Sequence, residues 1–423
     1  MEKRDTVRKV LVSVSAVLIF ALLAVIFGCA PAEVTPTPPK PPAVEKQPIF
    51  LGSFMDQTGP IAPYAIHMVK PMYDYFDYLN KEKGGIEGYP IKYVNFDSEY
   101  DPGKCITQHH RFAAGGCVFY VSIGGSNLGE ALKPFLEKDK IPAFTTGSSD
   151  PQLKPPGWIF QERPSYSENF AASVDWILEN WTKDRPLKIA FVTWDNPYGR
   201  GMFPGIPYIE AKGVKVVATA FVPGAPIDVT AQLLKIKEAK PDHVFMNLPN
   251  SVSSVVLNGA EMMGIRKEMT WWVNSGNVCT FMGLAELTHG ACDGTHYPHQ
   301  FATWEERELP GVKLMWELSE RYNRQDEEYQ NGYPVNLVEA LITEELIKRS
   351  LAEDGPPVTG EKMYKQLVKL KDFNAMKLLP GVDFTAWPGC REGSLWTRIC
   401  EIDKEGKTIV LSDWRKAPRI EIK

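Results

Sequence analysis

Between Ile49 and Phe96 the chain spells out one complete strand–loop–helix–strand unit, and that unit constrains everything after it. The apolar run Ile49–Phe54 breaks at Thr58-Gly59-Pro60, a turn signal, and Met68, Met72, Tyr75, Phe76 and Leu79 then recur at spacings of three and four. Gly84-Gly85 closes the predicted helix, because glycine takes the left-handed stop conformation without a Cβ clash. Residues 89–96, rich in aromatic and β-branched side chains, predict the second strand. Two strands joined through a helix pair in parallel, with a right-handed crossover. Ligands in such sheets collect beyond the carboxyl ends of the strands, which draws attention to residues 58–64.

The alternation continues. A helix over 103–114 leads to a strand over 117–123, the loop Gly124-Gly125-Ser126-Asn127, a helix over 128–138 and a strand over 141–144. After Pro164 a second series starts, with strands over 188–192, 214–221, 243–247 and 270–273 and helices between them. The chain is then predicted to cross back near 294–300 into helices over 309–322, 335–349 and 360–369, and residues 381–423 read as β-hairpins turning at Glu405-Gly406. Repeated strand–helix alternation means parallel sheets covered on both faces. The expected fold is α/β, with two doubly wound parallel-sheet lobes joined by a multi-crossover hinge.

The first 48 residues are of another kind. A short basic start (Lys3, Arg4, Arg8, Lys9) precedes an apolar run over 10–27, and Ile26-Phe27-Gly28-Cys29 resembles a lipobox. Residues 1–28 therefore read as a lipoprotein signal peptide, with Cys29 carrying the lipid. An uncleaved anchor is the other reading, since the run approaches bilayer-spanning length. Residues 29–48 are proline-rich and form a semi-rigid tether, which favours the lipoprotein. Of the seven cysteines six follow Cys29, and an even number in an exported chain implies disulfides. The local pairings Cys105–Cys117, Cys279–Cys292 and Cys390–Cys400 are expected, with buried free thiols as the alternative. A net charge of −5 with no basic stripe argues against a nucleic-acid partner.

Thr58-Gly59-Pro60, Tyr64, Asn80, Gly84-Gly85-Ile86, Gly88, Asp97 and Asp101-Pro102 occur in an order that resembles the start of leucine-binding-protein-like (type I) periplasmic receptors. These are the substrate-binding components of branched-chain amino acid ABC importers. Similar phrases return at 194–201 and 333–349, and the resemblance covers nearly all of 48–412. It implies two lobes, 49–163 plus 298–390 and 164–297 plus 391–423, connected by three crossovers. It further implies a monomer that binds a small carboxylate and delivers it to an ABC permease and ATPase, held to the membrane by its N-terminal lipid, with no cofactor.

Ser126 lies between a strand end and a helix start. Its hydroxyl, the Gly125 and Asn127 amides and the helix dipole make an anion site, unless Ser126 merely caps its helix. Ser148 and Ser149 end the next strand and add hydroxyls; all these positions match where the family grips a ligand α-carboxylate. Tyr64 and Tyr198 match aromatic walls, one per lobe, and Asn250 ends a further strand. One departure matters. The family's acid that pairs a ligand ammonium aligns as Ser275, and a pocket tyrosine falls near Pro249. An ammonium buried without a carboxylate is costly, so either Asp56 or Asp195 substitutes or the ligand carries no ammonium.

Chemistry of other kinds finds little support. Gly124-Gly125 with Gly129 is not the dinucleotide fingerprint, and no phosphate-binding P-loop occurs. His289, Cys292, His296 and His299 have the spacing of metal ligands but no second ligand pair, so no metal is expected, and His109-His110 reads as surface. No Ser/His/Asp or Cys/His set can be placed together, so a binding protein is expected rather than an enzyme. An exported enzyme or a ligand-sensing receptor on the same bilobal fold are the rivals, since fold does not fix function.

Overall fold

β1 (Ile49–Phe54) is buried at every position, as a parallel strand enclosed on both sheet faces must be. In the computed structural model, residues 46–274, 281–327, 330 and 332–421 are described; Cys29, the expected signal peptide and nearly all of the tether lie outside them, as do Ser275 and Cys279. From β1 the chain runs through α1 (Ala62–Lys83), β2 (Ile91–Phe96), α2 (Pro102–Ala114), β3 (Phe119–Ile123), α3 (Ser126–Asp139), β4 (Ala143–Thr145), α4 (Asp150–Leu153) and β5 (Ile159–Phe160). These five strands form one parallel sheet in the order β2-β1-β3-β4-β5.

The second lobe begins with α5 (Tyr166–Glu179) and β6 (Lys188–Trp194). A 3₁₀ turn over Gly199–Gly205 leads into α6 (Ile206–Glu210), then β7 (Lys215–Val222), α7 (Thr230–Ala239), β8 (His243–Asn247), α8 (Asn250–Met262), β9 (Thr270–Val273), α9 (Phe281–Thr288) and β10 (Thr295–His299). Helices α10 (Pro310–Tyr322), α11 (Gly332–Asp354) and α12 (Gly360–Leu367) return to the first lobe. The chain ends with β11 (Trp396–Ile402), β12 (Thr408–Val410) and β13 (Arg415–Lys416) in the second sheet. That sheet runs β12-β11-β10-β9-β8-β6-β7, with β13 also on β11; β11, β12 and β13 are its antiparallel members. Each sheet has an apolar cluster on either face, which is why its central strands, such as β1, β3 and β8, read as continuous apolar runs.

Local chemistry sets the element ends. Gly84, at φ 69°, ends α1, and the Gly85 N–H donates to Leu79 O at 2.9 Å. Asp101 caps α2 by accepting from the Gly103 and Lys104 amides at 2.7 and 3.2 Å. Asn80 bonds the Ile91 N–H and C=O, each at 2.8 Å, and so fixes α1 against β2.

Two expectations need correction. Among the described residues no cysteine is bridged: Cys105, Cys117, Cys292, Cys390 and Cys400 are buried free thiols, so neither Cys105–Cys117 nor Cys390–Cys400 forms, and Cys292 is unlinked. Their sulfurs find other partners, Cys117 on Phe119 O at 3.4 Å and Cys390 on Trp387 O at 3.6 Å. Burial pushes the Cys105, Cys117, Cys390 and Cys400 thiols up to about 12. His109 is not a surface residue but is fully buried, with Nδ1 2.9 Å from the Tyr120 hydroxyl and Nε2 2.8 Å from Asp139. Among the described residues no helix is long and apolar enough to cross a membrane.

Three segments pass between the lobes, and they lie together. Gln161 N–H donates to Arg391 O at 2.8 Å and Gly393 N–H to Gln161 O at 2.7 Å, pairing the first crossing with the third. Gln300, on the second, donates to Asn169 at 2.8 Å and Thr397 at 3.0 Å. The C-terminal segment lies over this hinge: Arg419 bonds Glu168 of α5 at 2.9 Å and also Glu392, while Lys154 beside α4 reaches Asp150, Glu168, Glu392 and the Ile420 carbonyl.

Candidate functional site

Strand order reverses between β1 and β3 in the first sheet and between β6 and β8 in the second. Each reversal opens a crevice beyond the strands' carboxyl ends. The Gly124 N–H donates to Phe54 O at 2.7 Å, so the segments after β1 and β3 leave the sheet side by side. Asp56 stands on one and Ser126 on the other, both fully buried.

Ser126 is the first residue of α3, and the residue before it, Gly125, has φ 112° and gives the helix no side-chain cap. The first amides of that helix therefore lack intrahelical partners, and its positive end faces the crevice. Ser126 Oγ has no hydrogen bond of good geometry, although the Tyr166 hydroxyl lies beside it and beside Ser148. Asn127 Oδ1 is likewise buried without a partner. Gly147 makes this arrangement possible: a Cβ there would stand 2.3 Å from the backbone of Gly125 and Ser126. Ser149 departs from expectation. It is buried in the same loop, but its hydroxyl donates to Glu130 at 2.7 Å and accepts from Gln152 at 2.9 Å, holding α3 to α4.

Across the cleft, Tyr198 sits in a tight loop after β6, where Thr193 Oγ1 bonds Gly199 O at 2.8 Å and Asn196 Oδ1 accepts the Gly199 N–H at 2.8 Å. Its ring lies edge-on to Tyr166, with centroids 5.5 Å apart, and 6.1 Å from Trp194. Asn250 opens α8, which has no side-chain cap, so a second helix start points inward from this lobe. Asn274 donates to Tyr166 O at 3.0 Å and leaves Oδ1 buried and unpartnered. Helices α1 and α8 touch across the cleft. A cavity of about 1000 Å³, lined by Pro63, His67, Asn250, Leu287 and His289, opens beside it.

Tyr64, Tyr100, Tyr166 and Tyr198 stand close enough for burial and then one another's charge to hold the Tyr64 hydroxyl well above the ordinary range. Of the residues named from the sequence, Tyr64 and Tyr198 thus stand with Tyr100 and Tyr166, Ser126 and Ser148 lie beside Tyr166, Gly125 lies against Tyr100, and Asn250 lines the neighbouring cavity. Sequence reasoning missed Tyr100 and Tyr166. Tyr100 follows Glu99 in a loop where both take the left-handed conformation, with φ 60° and 53°. Tyr166 follows the first crossing at Pro164-Ser165, whose capping box was the one readable signal.

The two candidate acids separate. Asp195 is exposed and paired with Arg200. Asp56 is buried among the tyrosines, and burial pushes its carboxyl up to about 7 against the Ser98 hydroxyl that bonds it. The histidines proposed from spacing do not gather: His296 bonds Glu401 at 2.9 Å, His299 is in the core, and Cys292 faces Asp403 O. Among the described residues the group within metal-ligating reach is His109, His110 and Asp139, where both His109 nitrogens are already engaged. The cleft thus offers hydroxyls and helix starts to an anion, and aromatic walls to an apolar body.

Comparison with known proteins bears on this geometry. The model of the periplasmic binding protein family matches residues 48–387. Leu/Ile/Val-binding protein homolog 1 of Brucella melitensis biotype 1 is 22% identical over 250 residues, 58% of this chain and 65% of that protein, so the match spans just under two thirds of the relative. A branched chain amino acid ABC transporter structure from Thermus thermophilus with bound valine aligns with a TM-score of 0.78 and 21% identity, covering 88% of this chain and 97% of that one. A fatty acid ABC transporter substrate-binding protein from Thermomonospora curvata aligns at 0.77 with 19% identity over 88% and 93%. At such identities the likeness to these structures is one of fold.

Proposed function

The chain belongs to the periplasmic binding protein family, and on that premise we propose that it is the substrate-binding component of an ABC importer of the branched-chain amino acid type. It closes two lobes around a small carboxylate-bearing ligand and presents it to a permease driven by an ATPase. The observation that carries this reading is Ser126: a buried hydroxyl without a good hydrogen bond, at an uncapped helix start, inside a ring of tyrosines. One structural neighbour holds valine and another is named for fatty acids. Both ligands combine a carboxylate with an apolar body, which is what Ser126 and the tyrosines suit.

Ser126→Ala removes one hydrogen bond to a charged group, and the Kd for a bound carboxylate is expected to rise about tenfold or more. Calorimetric titration of leucine, 4-methylpentanoate and benzoate checks this, with the melting temperature of the unliganded variant held near wild type. A variant that binds as tightly as wild type would remove the carboxylate grip from Ser126. Export as a lipoprotein belongs to the same proposal, since Cys29 follows a lipobox-like sequence and precedes a proline-rich spacer. Cys29→Ala is expected to abolish metabolic labelling with a radioactive fatty acid; labelling that persists would favour an uncleaved anchor.

A further inference from the structure

We propose that Asp56 receives an ammonium group of the ligand, so that the cleft selects amino-carboxylates over plain carboxylates. The proposal rests on the reading of the cleft as a carboxylate receptor and adds to it the second charge that the ligand must carry. Phe54 pairs with Ile123 in the β1–β3 register, and Gly124 N–H bonds Phe54 O. Asp56 and Ser126 therefore emerge from adjacent strands, about 5 Å apart in the hydrogen-bonding direction, on either side of one crevice. The Tyr100 ring packs on Gly125, where a Cβ would meet it at 2.5 Å, while Tyr100's own backbone N–H is directed at the Asp56 carboxyl. Tyr100 thus spans from the carboxylate grip to the acid, and a ligand lying along it meets both.

Asp56 is built to accept something. It is fully buried, Oδ1 accepts from the Ser98 hydroxyl, and Oδ2 has no hydrogen-bond partner. Among the described residues the groups around it bring no cation. On its own side stand Asp97, bonded to the Gln57 and Thr58 amides, and Glu99, paired with Lys104 at 2.6 Å. Cys105 of α2 faces it as a neutral thiol, and Tyr64 of α1 and Tyr100 face it as neutral phenols. Asp97 and Glu99 add negative potential, which disfavours the ionised carboxyl and would favour an incoming positive charge. A buried carboxyl with one oxygen lacking a hydrogen bond of good geometry, no cation beside it among the described residues and two further acids behind it suits an ammonium.

The ammonium could sit on the α-carbon or at the far end of a chain, and matched pairs separate these sources. Wild type is titrated with leucine against 4-methylpentanoate and with 5-aminopentanoate against pentanoate, at pH 6 and pH 8. The amine-bearing member of one pair is expected to bind at least about tenfold more tightly. That preference is expected to grow toward pH 8, because burial and the neighbouring acids hold Asp56 partly protonated near neutrality and the ammonium needs it ionised. Asp56→Asn should bring the ratio of the two affinities, both measured on the variant, near unity. Calorimetry of wild type in buffers of different ionisation enthalpy supplies a reading independent of the variant's folding: protons should be released as the amine-bearing ligand binds. Plain acids that match or outbind their amines at both pH values would overturn the proposal, as would a preference that survives Asp56→Asn. A ligand that binds more weakly as pH rises, with proton uptake, would show Asp56 acting as a donor and would also overturn it. In any of these outcomes the Ser126→Ala effect on plain acids still stands or falls separately.

Discussion

Gly147→Ala is expected to cost the protein about 1–3 kcal/mol of stability and to weaken carboxylate binding roughly a hundredfold. The added methyl would stand 2.3 Å from Gly125 C and Ser126 N and 2.7 Å from Ser126 Cα. All three are backbone atoms, so no side chain can swing aside, and either the loop after β4 or the start of α3 must move. Moving the start of α3 displaces the Ser126 hydroxyl and the free amides together. Hydrogen bonds to a charged group are worth ~1.5–3 kcal/mol each, so losing two accounts for a hundredfold. Gly224→Ala is the control, because nothing lies within 4 Å of its Cβ position. Thermal melts and titrations of the two variants decide the matter. A Gly147→Ala protein that binds a carboxylate like wild type would show that the ligand does not lean on the α3 start.

The β1–β3 unit and its repeats were legible because buried parallel strands leave continuous apolar runs, and because Gly84 and Asp101 mark helix ends by local chemistry alone. Tyr64, Ser126, Tyr198 and Asn250 could be named for a related reason: strand ends in such sheets gather at one edge whatever the side chains. Side-chain direction was not legible. Ser149 follows a strand end as Ser148 does, yet Glu130, one turn into α3, captures its hydroxyl. The spacing of Cys390 and Cys400 suggested a short bridged loop, but Cys400 packs within the second sheet while Cys390 faces Trp387 O. Tyr100 escaped notice because two successive left-handed non-glycine residues leave no compositional trace. Asp56 and Asp195 looked equivalent as acids after strands, and only burial and the Arg200 pairing told them apart.

The charged cluster at the hinge predicts the second large effect. Asp150, Glu168 and Glu392 are fully buried carboxyls, and among the described residues Lys154 and Arg419 face them with positive charge. Three acids against two cations leave one negative charge in excess, which a proton on Glu392 cancels. Burial, and next the Glu168 charge, push Glu392 up to about 8. A carboxyl whose folded value is raised binds more protons folded than unfolded, so its contribution to stability is greatest at acid pH and declines as pH rises toward about 8. Arg419→Met removes one cation and leaves Glu168 and Glu392 facing each other with Lys154 alone. Breaking a buried pair by removing one partner costs about 3–5 kcal/mol, and the variant is expected to melt correspondingly lower, with the largest deficit at alkaline pH. Glu392→Gln in the Arg419→Met background removes the matching acid and should recover most of that loss, since Asp150 and Glu168 then share one negative excess against Lys154. Because these groups join Lys154 of the first lobe to Glu168 of the second, weakening them loosens the hinge as well as the fold, and ligand affinity should fall with stability. Melting curves of wild type, Arg419→Met and the double variant between pH 6 and pH 9 test the account. Equal stability of wild type and Arg419→Met across that range would mean that water already solvates these charges and that the C-terminal segment holds the hinge by packing of Ala417 and Ile420 instead.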